Sequence, residues 1–318
     1  MDDVSVVDYH TAGEPFRIVT SVEIPGASVA ERRVAAQSSE EIDAARRLLV
    51  NEPRGHADMY GGFVVPADDD GADFGVVFWH KDGYSTACGH GTIALATWAV
   101  ATGLVQAPDV VIDVPSGRVT ARVDDSGVAF RNVPSYVLKR EMPVSTSRGH
   151  VLADISYGGA FYASVPASSV GLSVTPEYYA DLIAVGREIK WALDPLAVHP
   201  HDPRLSGLYG TILYEDLGTI DGGPHQRNLA VFADGEADRS PCGSGTSARL
   251  ALLHDDGRLG PDQVLRHDSI VGTTFLGRVV EQTEAGVITE VTGSAYRTGT
   301  ATFTLDPRDP LGTGFTLR

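Results

Sequence analysis

Cysteine, lysine and methionine are scarce in this chain: two, three and three residues among 318. Two cysteines cannot build a secreted disulfide scaffold, which packs several pairs into a much shorter chain. The lysines, Lys81, Lys139 and Lys190, have no setting that marks a Schiff-base residue for pyridoxal phosphate. No stretch approaches the roughly 18 consecutive apolar residues of a membrane span. The start, MDDVSVVDYH, lacks the basic and apolar regions of a signal peptide, so a cytoplasmic location is expected. Positive charge is also short: 25 Lys and Arg face 42 Asp and Glu, and the net charge of -17 is spread along the chain. That balance disfavours nucleic acid and anionic membrane as partners and says nothing positive about the substrate. With 42% hydrophobic and 21% charged residues, the chain suits a soluble globular protein of one large domain or two lobes.

Runs rich in Val, Ile, Phe and Tyr predict strands at 4–9, 17–24, 75–80, 110–114, 118–123, 128–133, 230–234 and 275–280. Helical patterns are fewer. One covers 39–49 behind a capping box of Ser38 and Glu41, and another covers 176–194 with Pro176 in its first turn. This is an α+β pattern rather than a regular strand-helix alternation. Residues 88–94 read Cys-Gly-His-Gly-Thr-Ile-Ala and residues 242–248 read Cys-Gly-Ser-Gly-Thr-Ser-Ala. Each leads into a short apolar helix, and each meets a glycine fifteen residues after its cysteine, Gly103 and Gly257, where a helix would end. The echo predicts two half-chains of similar plan, with the two thiols facing across a cleft and a hinge near 124–127.

A thiol at a glycine-rich helix start lies where free N–H groups and the helix dipole favour an anion. The same N–H groups can hold a carboxylate. Two such thiols suit proton transfer at the α-carbon of an amino acid: one removes the proton, the other returns one to the opposite face. Other readings fit less of the pattern. As buried hydrophobes, the cysteines would leave their repeated context unexplained, and a structural disulfide is unnecessary at this length. Each glycine set also fits a Gly-x-Gly-x-x-Ala dinucleotide fingerprint, but the polar stretch 81–87 separates the first from its strand. Zinc on Cys88, His90 and Cys242 lacks a fourth ligand, and the second copy has Ser244 in place of the histidine. A cysteine hydrolase would use one motif and leave the other idle.

The segments 85–93 and 238–248, with HisThrAlaGlyGluPro (10–15), AsnGluProArgGlyHisAlaAspMetTyrGly (51–61), TyrGlyGlyAlaPheTyrAla (157–163) and ThrGlySerAlaTyr (292–296), resemble the proline racemase family over nearly the whole chain. That family includes proline racemase, 4-hydroxyproline epimerase and trans-3-hydroxy-L-proline dehydratase. The resemblance implies an α+β fold of two lobes of diaminopimelate-epimerase type, each a helix wrapped by mostly antiparallel strands. The expected bounds are 1–124 and 125–297, with 298–318 able to return to the first lobe. It implies a small-molecule substrate, no cofactor and no metal, and it is compatible with a homodimer. By position, Cys88 and Cys242 are the catalytic pair, Asp238 and His90 bind the substrate nitrogen, and backbone around Gly89, Gly91, Gly243 and Ser244 binds the carboxylate. Tyr60 and Phe232 line the ring pocket.

Cysteine at both positions matches the family's racemases and epimerases, because many of its dehydratases carry threonine at the second. Tyr60, Ala160 and the Gly-Ser-Gly of 243–245 are closer to the dehydratases, and Ala87 replaces a methionine common in both. The expected activity is inversion of proline or a hydroxyproline, with dehydration of trans-3-hydroxyproline as the alternative. A non-catalytic amino-acid-binding protein of the same fold is the reading from another class.

Overall fold

The computed structural model describes residues 3–317, so residues 1, 2 and 318 of the expected lobe bounds lie outside it. The chain forms two compact units, one of residues 1–128 with 294–318 and the other of 129–293.

In the first unit, β1 (Val4–Thr11) pairs antiparallel with both β2 (Glu14–Val19) and the late strand Ala295–Phe303. Helices α1 (Val29–Ser38) and α2 (Glu40–Val50) follow. Strand β3 (Tyr60–Val65) lies parallel to β2 and antiparallel to β4 (Phe74–His80), which turns back through the short β5 (Gly83–Tyr84). Helix α3 (Gly89–Ala101) leads to β6 (Asp109–Val114), parallel to β4, and β6 pairs antiparallel with β7 (Gly117–Asp124). Strand β8 (Gly127–Arg131) carries the chain into the second unit.

The second unit repeats the scheme. Strands β9 (Tyr136–Thr146), β10 (Gly149–Tyr157) and β11 (Phe161–Pro166) pair antiparallel in turn. The helix α4 (Tyr179–Leu193) packs on β12 (Leu208–Ile220) and β13 (Gly223–Phe232). Strand β12 runs parallel to β11 and antiparallel to β13, which turns back through the short β14 (Glu236–Asp238). Helix α5 (Gly243–Asp255) leads to β15 (Leu265–Ser269), parallel to β13, and then come the antiparallel β16 (Thr274–Thr283) and β17 (Gly286–Gly293). The last strand, β18, is Ala295–Phe303 of the first unit. Read from β18 in one unit and β9 in the other, the strand relations match step for step: antiparallel, antiparallel, parallel, antiparallel, parallel, antiparallel. The cysteine helix occupies the same place in each scheme.

Both cysteine helices are buried on all sides from their first turn onward. In α3 every residue from Gly89 to Ala96 is buried, and in α5 every residue from Gly243 to Leu253. The apolar α3 packs on β1, β2, β6, β7 and β18; α5 packs on β9, β10, β11, β16 and β17, and its buried Ser244, Thr246, Ser247 and Arg249 are hydrogen-bonded there. Gly103 and Gly257 follow their C-caps at φ 74 and 67, the left-handed conformation a helix-ending glycine supplies.

Several local expectations need correction. The N-cap of α2 is Ser39, whose hydroxyl accepts the Ile42 N–H, whereas Ser38 is the last residue of α1. The strand expected over 17–24 ends at Val19. The helix expected over 176–194 begins as a 3-10 turn, Pro176–Tyr178, before α4.

Candidate active site

Both cysteines are free thiols, and each is the residue immediately before its helix. In the first unit, Cys88 has extended backbone at φ -155, and its Sγ accepts the Gly91 N–H at 3.3 Å. The ring of His90 lies against the sulfur, with Nδ1 at 3.5 Å and Nε2 at 3.6 Å. That ring meets the edges or faces of two aromatics at near right angles, Tyr60 at 4.9 Å and Phe16 at 5.8 Å between centroids. The Tyr60 hydroxyl is hydrogen-bonded to Ser85. Thr11 anchors the turn by donating to the His90 carbonyl at 2.8 Å. Thus Tyr60, Cys88, Gly89, His90 and Gly91 come together in one cluster.

The glycine three residues after each cysteine has a steric cause. A Cβ on Gly91 would stand 2.8 Å from Cys88 Sγ and 2.4 Å from Phe16, and a Cβ on Gly245 would stand 2.9 Å from Cys242 Sγ. Only glycine lets the sulfur fold back over the first helical turn, where the N–H groups point.

The second cluster differs in character. Cys242 has φ 62 and ψ 101, a left-handed backbone that L-residues avoid. Such a conformation costs on the order of 1–3 kcal/mol and persists only where its surroundings over-determine it. The thiol donates to the Tyr162 hydroxyl at 3.6 Å, and that hydroxyl lies 2.7 Å from Ser244 Oγ. Asp238 is buried and accepts the Ser240 N–H at 2.8 Å. Burial lifts the Asp238 carboxyl to about 6. Burial first, then the Asp238 charge, pushes the Cys242 thiol well above the ordinary thiol range. At Cys242 this overturns the expectation of a sulfur held as an anion by its helix start: burial outweighs the N–H groups there. Phe232 stacks on Tyr209 at 5.4 Å, and Tyr209 meets the edge of Tyr162 at 5.6 Å. Phe232, Asp238, Cys242, Gly243 and Ser244 thus form the second cluster.

Phe16, Tyr162 and Tyr209 are constituents that sequence reasoning left out. Tyr162 lies inside the segment 157–163 that carries the family resemblance, yet in an apolar strand it reads as a core aromatic.

A trans-3-hydroxy-L-proline dehydratase of Burkholderia cenocepacia is 45% identical, with 99% of this chain and 98% of that protein covered. A 3-hydroxyproline 2-epimerase of Burkholderia multivorans is also 45% identical, covering 99% of this chain and 98% of its own. Among solved structures, a hydroxyproline epimerase from Agrobacterium vitis with bound trans-4-hydroxy-L-proline matches with a TM-score of 0.91 and 30% identity, over 99% of this chain and 96% of that one. The α+β fold of two similar units is the one this epimerase structure shares. The match to the proline racemase family spans residues 6–316, and this chain belongs to that family of enzymes.

Proposed function

We propose that the enzyme inverts the α-carbon of proline or a hydroxyproline, with Cys88 taking the α-proton from one face and Cys242 returning a proton to the other. The observation that carries this reading is the different surroundings of two thiols that hold the same place in their units. Each sulfur receives the N–H of the glycine three residues on, Gly91 for Cys88 and Gly245 for Cys242, but burial and the Asp238 charge push the Cys242 thiol upward, whereas His90 lies against the Cys88 sulfur. The N–H groups opening α3 and α5, around Gly89, Gly91, Gly243 and Ser244, would hold the substrate carboxylate, onto which the carbanion's charge spreads. His90 and Asp238 would hold the ring nitrogen, and Tyr60 and Phe232 would bound the ring. No cofactor is needed for these steps. The names of the relatives make 3-hydroxyproline the first substrate to try.

The dehydratase name of the Burkholderia cenocepacia relative favours a second reading. Removal of the α-proton by Cys88 also begins elimination: the electron pair left at the α-carbon forms the ring double bond, and the 3-hydroxyl departs as water after taking up a proton. The purified protein, given L-proline, trans-4-hydroxy-L-proline and trans-3-hydroxy-L-proline separately, is expected to invert at least one, followed by optical rotation. Dehydration of the 3-hydroxy substrate without inversion of any establishes the second reading, and no turnover of the three overturns both.

Asp238 adds a pH signature. Its carboxyl, raised by burial, takes up a proton as pH falls through about 6, and the anion that would pair with the substrate nitrogen is lost. KM is therefore expected to rise below that pH. An Asp238→Asn enzyme should show a high KM at all pH values without this acid limb.

A further inference from the structure

The two copies of the cysteine motif share a threonine, and they use it differently. Thr92 turns its hydroxyl back onto its own helix, donating to the Cys88 carbonyl at 2.8 Å. Thr246 reaches past the equivalent atom and donates to the carbonyl of Pro241, the residue before the cysteine, at 3.3 Å. The Asn228 amide donates to the same carbonyl at 3.0 Å, and its nitrogen also lies 2.8 Å from His267 Nε2. His267 Nδ1 is 2.8 Å from Thr246 Oγ1, which closes the ring of contacts.

The proton positions in this ring follow from its members. An amide nitrogen only donates, so His267 Nε2 accepts, and Nδ1 carries the ring hydrogen and gives it to Thr246. The Thr246 hydrogen is then left for Pro241. Full burial, aided by the nearby Arg249 charge, holds His267 down to about 3, so the ring stays neutral and the direction of these bonds does not change near neutral pH.

What the ring controls is one peptide plane. The φ angle of Cys242 is set by the orientation of the Pro241–Cys242 peptide, and turning that plane would release the left-handed backbone. Its carbonyl end is held by Asn228 and Thr246, and its N–H end donates to Ser240 Oγ at 3.1 Å. On its far side the Cys242 carbonyl accepts the Thr246 N–H at 2.6 Å, which ties the cysteine to α5. In the first unit Cys88 is extended and unstrained, and Thr92 is spent on the helix itself.

We propose that Thr246, Asn228 and His267 form a brace that positions Cys242, holding its backbone in the strained conformation that places the thiol against the Gly245 N–H and Tyr162. All three are positioning residues that act through the Pro241 carbonyl. That this placement serves proton return rests on the role assigned to Cys242 above.

The test reads thiol chemistry rather than turnover, so it stands apart from that assignment. Thr246→Val keeps the side-chain shape and removes the hydroxyl. Cys242 and Cys88 of the full-length protein are alkylated with iodoacetamide at one mildly alkaline pH, and each rate is followed by mass spectrometry. In the variant the Cys242 rate is expected to fall about fivefold as the sulfur loses its N–H donor, while Cys88, in the other unit, keeps its rate. Thr246→Ser, which restores the hydroxyl, should restore the rate. An unchanged ratio of the two rates in folded Thr246→Val overturns the proposal. If that variant does not fold, His267→Asn replaces it. Its amide can reproduce the Nδ1 donor but not the Nε2 acceptor, so it should give the same change at smaller size, and an unaltered ratio there overturns the proposal equally.

Discussion

Cys88→Ser is expected to lose both inversion and dehydration, by roughly a hundred- to ten-thousand-fold in kcat, the range a positioned acid or base contributes. A serine hydroxyl is far less acidic than a thiol, so the N–H of Gly91, 3.3 Å from the sulfur, cannot make it a usable base. The substitution removes little volume from a site where Cys88 is already buried, so the protein should stay folded and still bind substrate. Solvent-deuterium exchange at the substrate α-carbon, read by NMR, checks this directly. Loss of exchange together with loss of product places Cys88 at the first proton transfer. Undiminished exchange would mean that another group is the base, which overturns the assignment for both reactions.

Cys242→Thr is expected to have an effect of similar size on inversion and a much smaller one on dehydration. Inversion needs an acid on the second face, and the thiol of Cys242 is kept protonated by burial and by the Asp238 charge. A threonine hydroxyl leaves Cys88 untouched but gives up its proton reluctantly. Elimination needs no proton at the second face of the α-carbon, only help for the departing hydroxyl, and the hydroxyls of Tyr162 and Ser244, 2.7 Å apart, remain. Measuring optical inversion and dehydration on the same preparation separates the outcomes. Equal loss of both would assign Cys242 to a step common to the two reactions. Retention of inversion would remove it from the acid role.

Much of the site was readable without coordinates because the motif occurs twice. A single Cys-Gly-x-Gly-Thr is compatible with a turn, a ligand loop or a buried thiol; two copies with glycines at the same distance restrict both to one plan. The structure adds why the glycines recur, since a Cβ on Gly91 or Gly245 would collide with the sulfur. What escaped has physical reasons. Helix α1 buries Val29, Arg32 and Ala36, and an arginine on the inward face blurs the apolar period that marks a helix. The adjacent Ser38 and Ser39 offered two caps, and only the hydrogen bond to Ile42 decides between them. His267 stands in a strand 25 residues beyond Cys242, and no local pattern announces that it meets Thr246 and Asn228. The left-handed backbone of Cys242 was hidden for another reason: the first copy, nearly identical in sequence, has none.

The return of β18 to the first unit bears on biosynthesis. Residues 129–293 form a continuous unit, whereas the unit that begins the chain is completed only by residues 294–318. Until that last segment is made, β1 has a partner on one side only, and its inward Val4 and Val6 lie along an unpaired strand edge. The first unit to emerge from a ribosome is therefore the second that can be completed, and the nascent N-terminal half must wait, with an open edge, through the synthesis of the entire second unit.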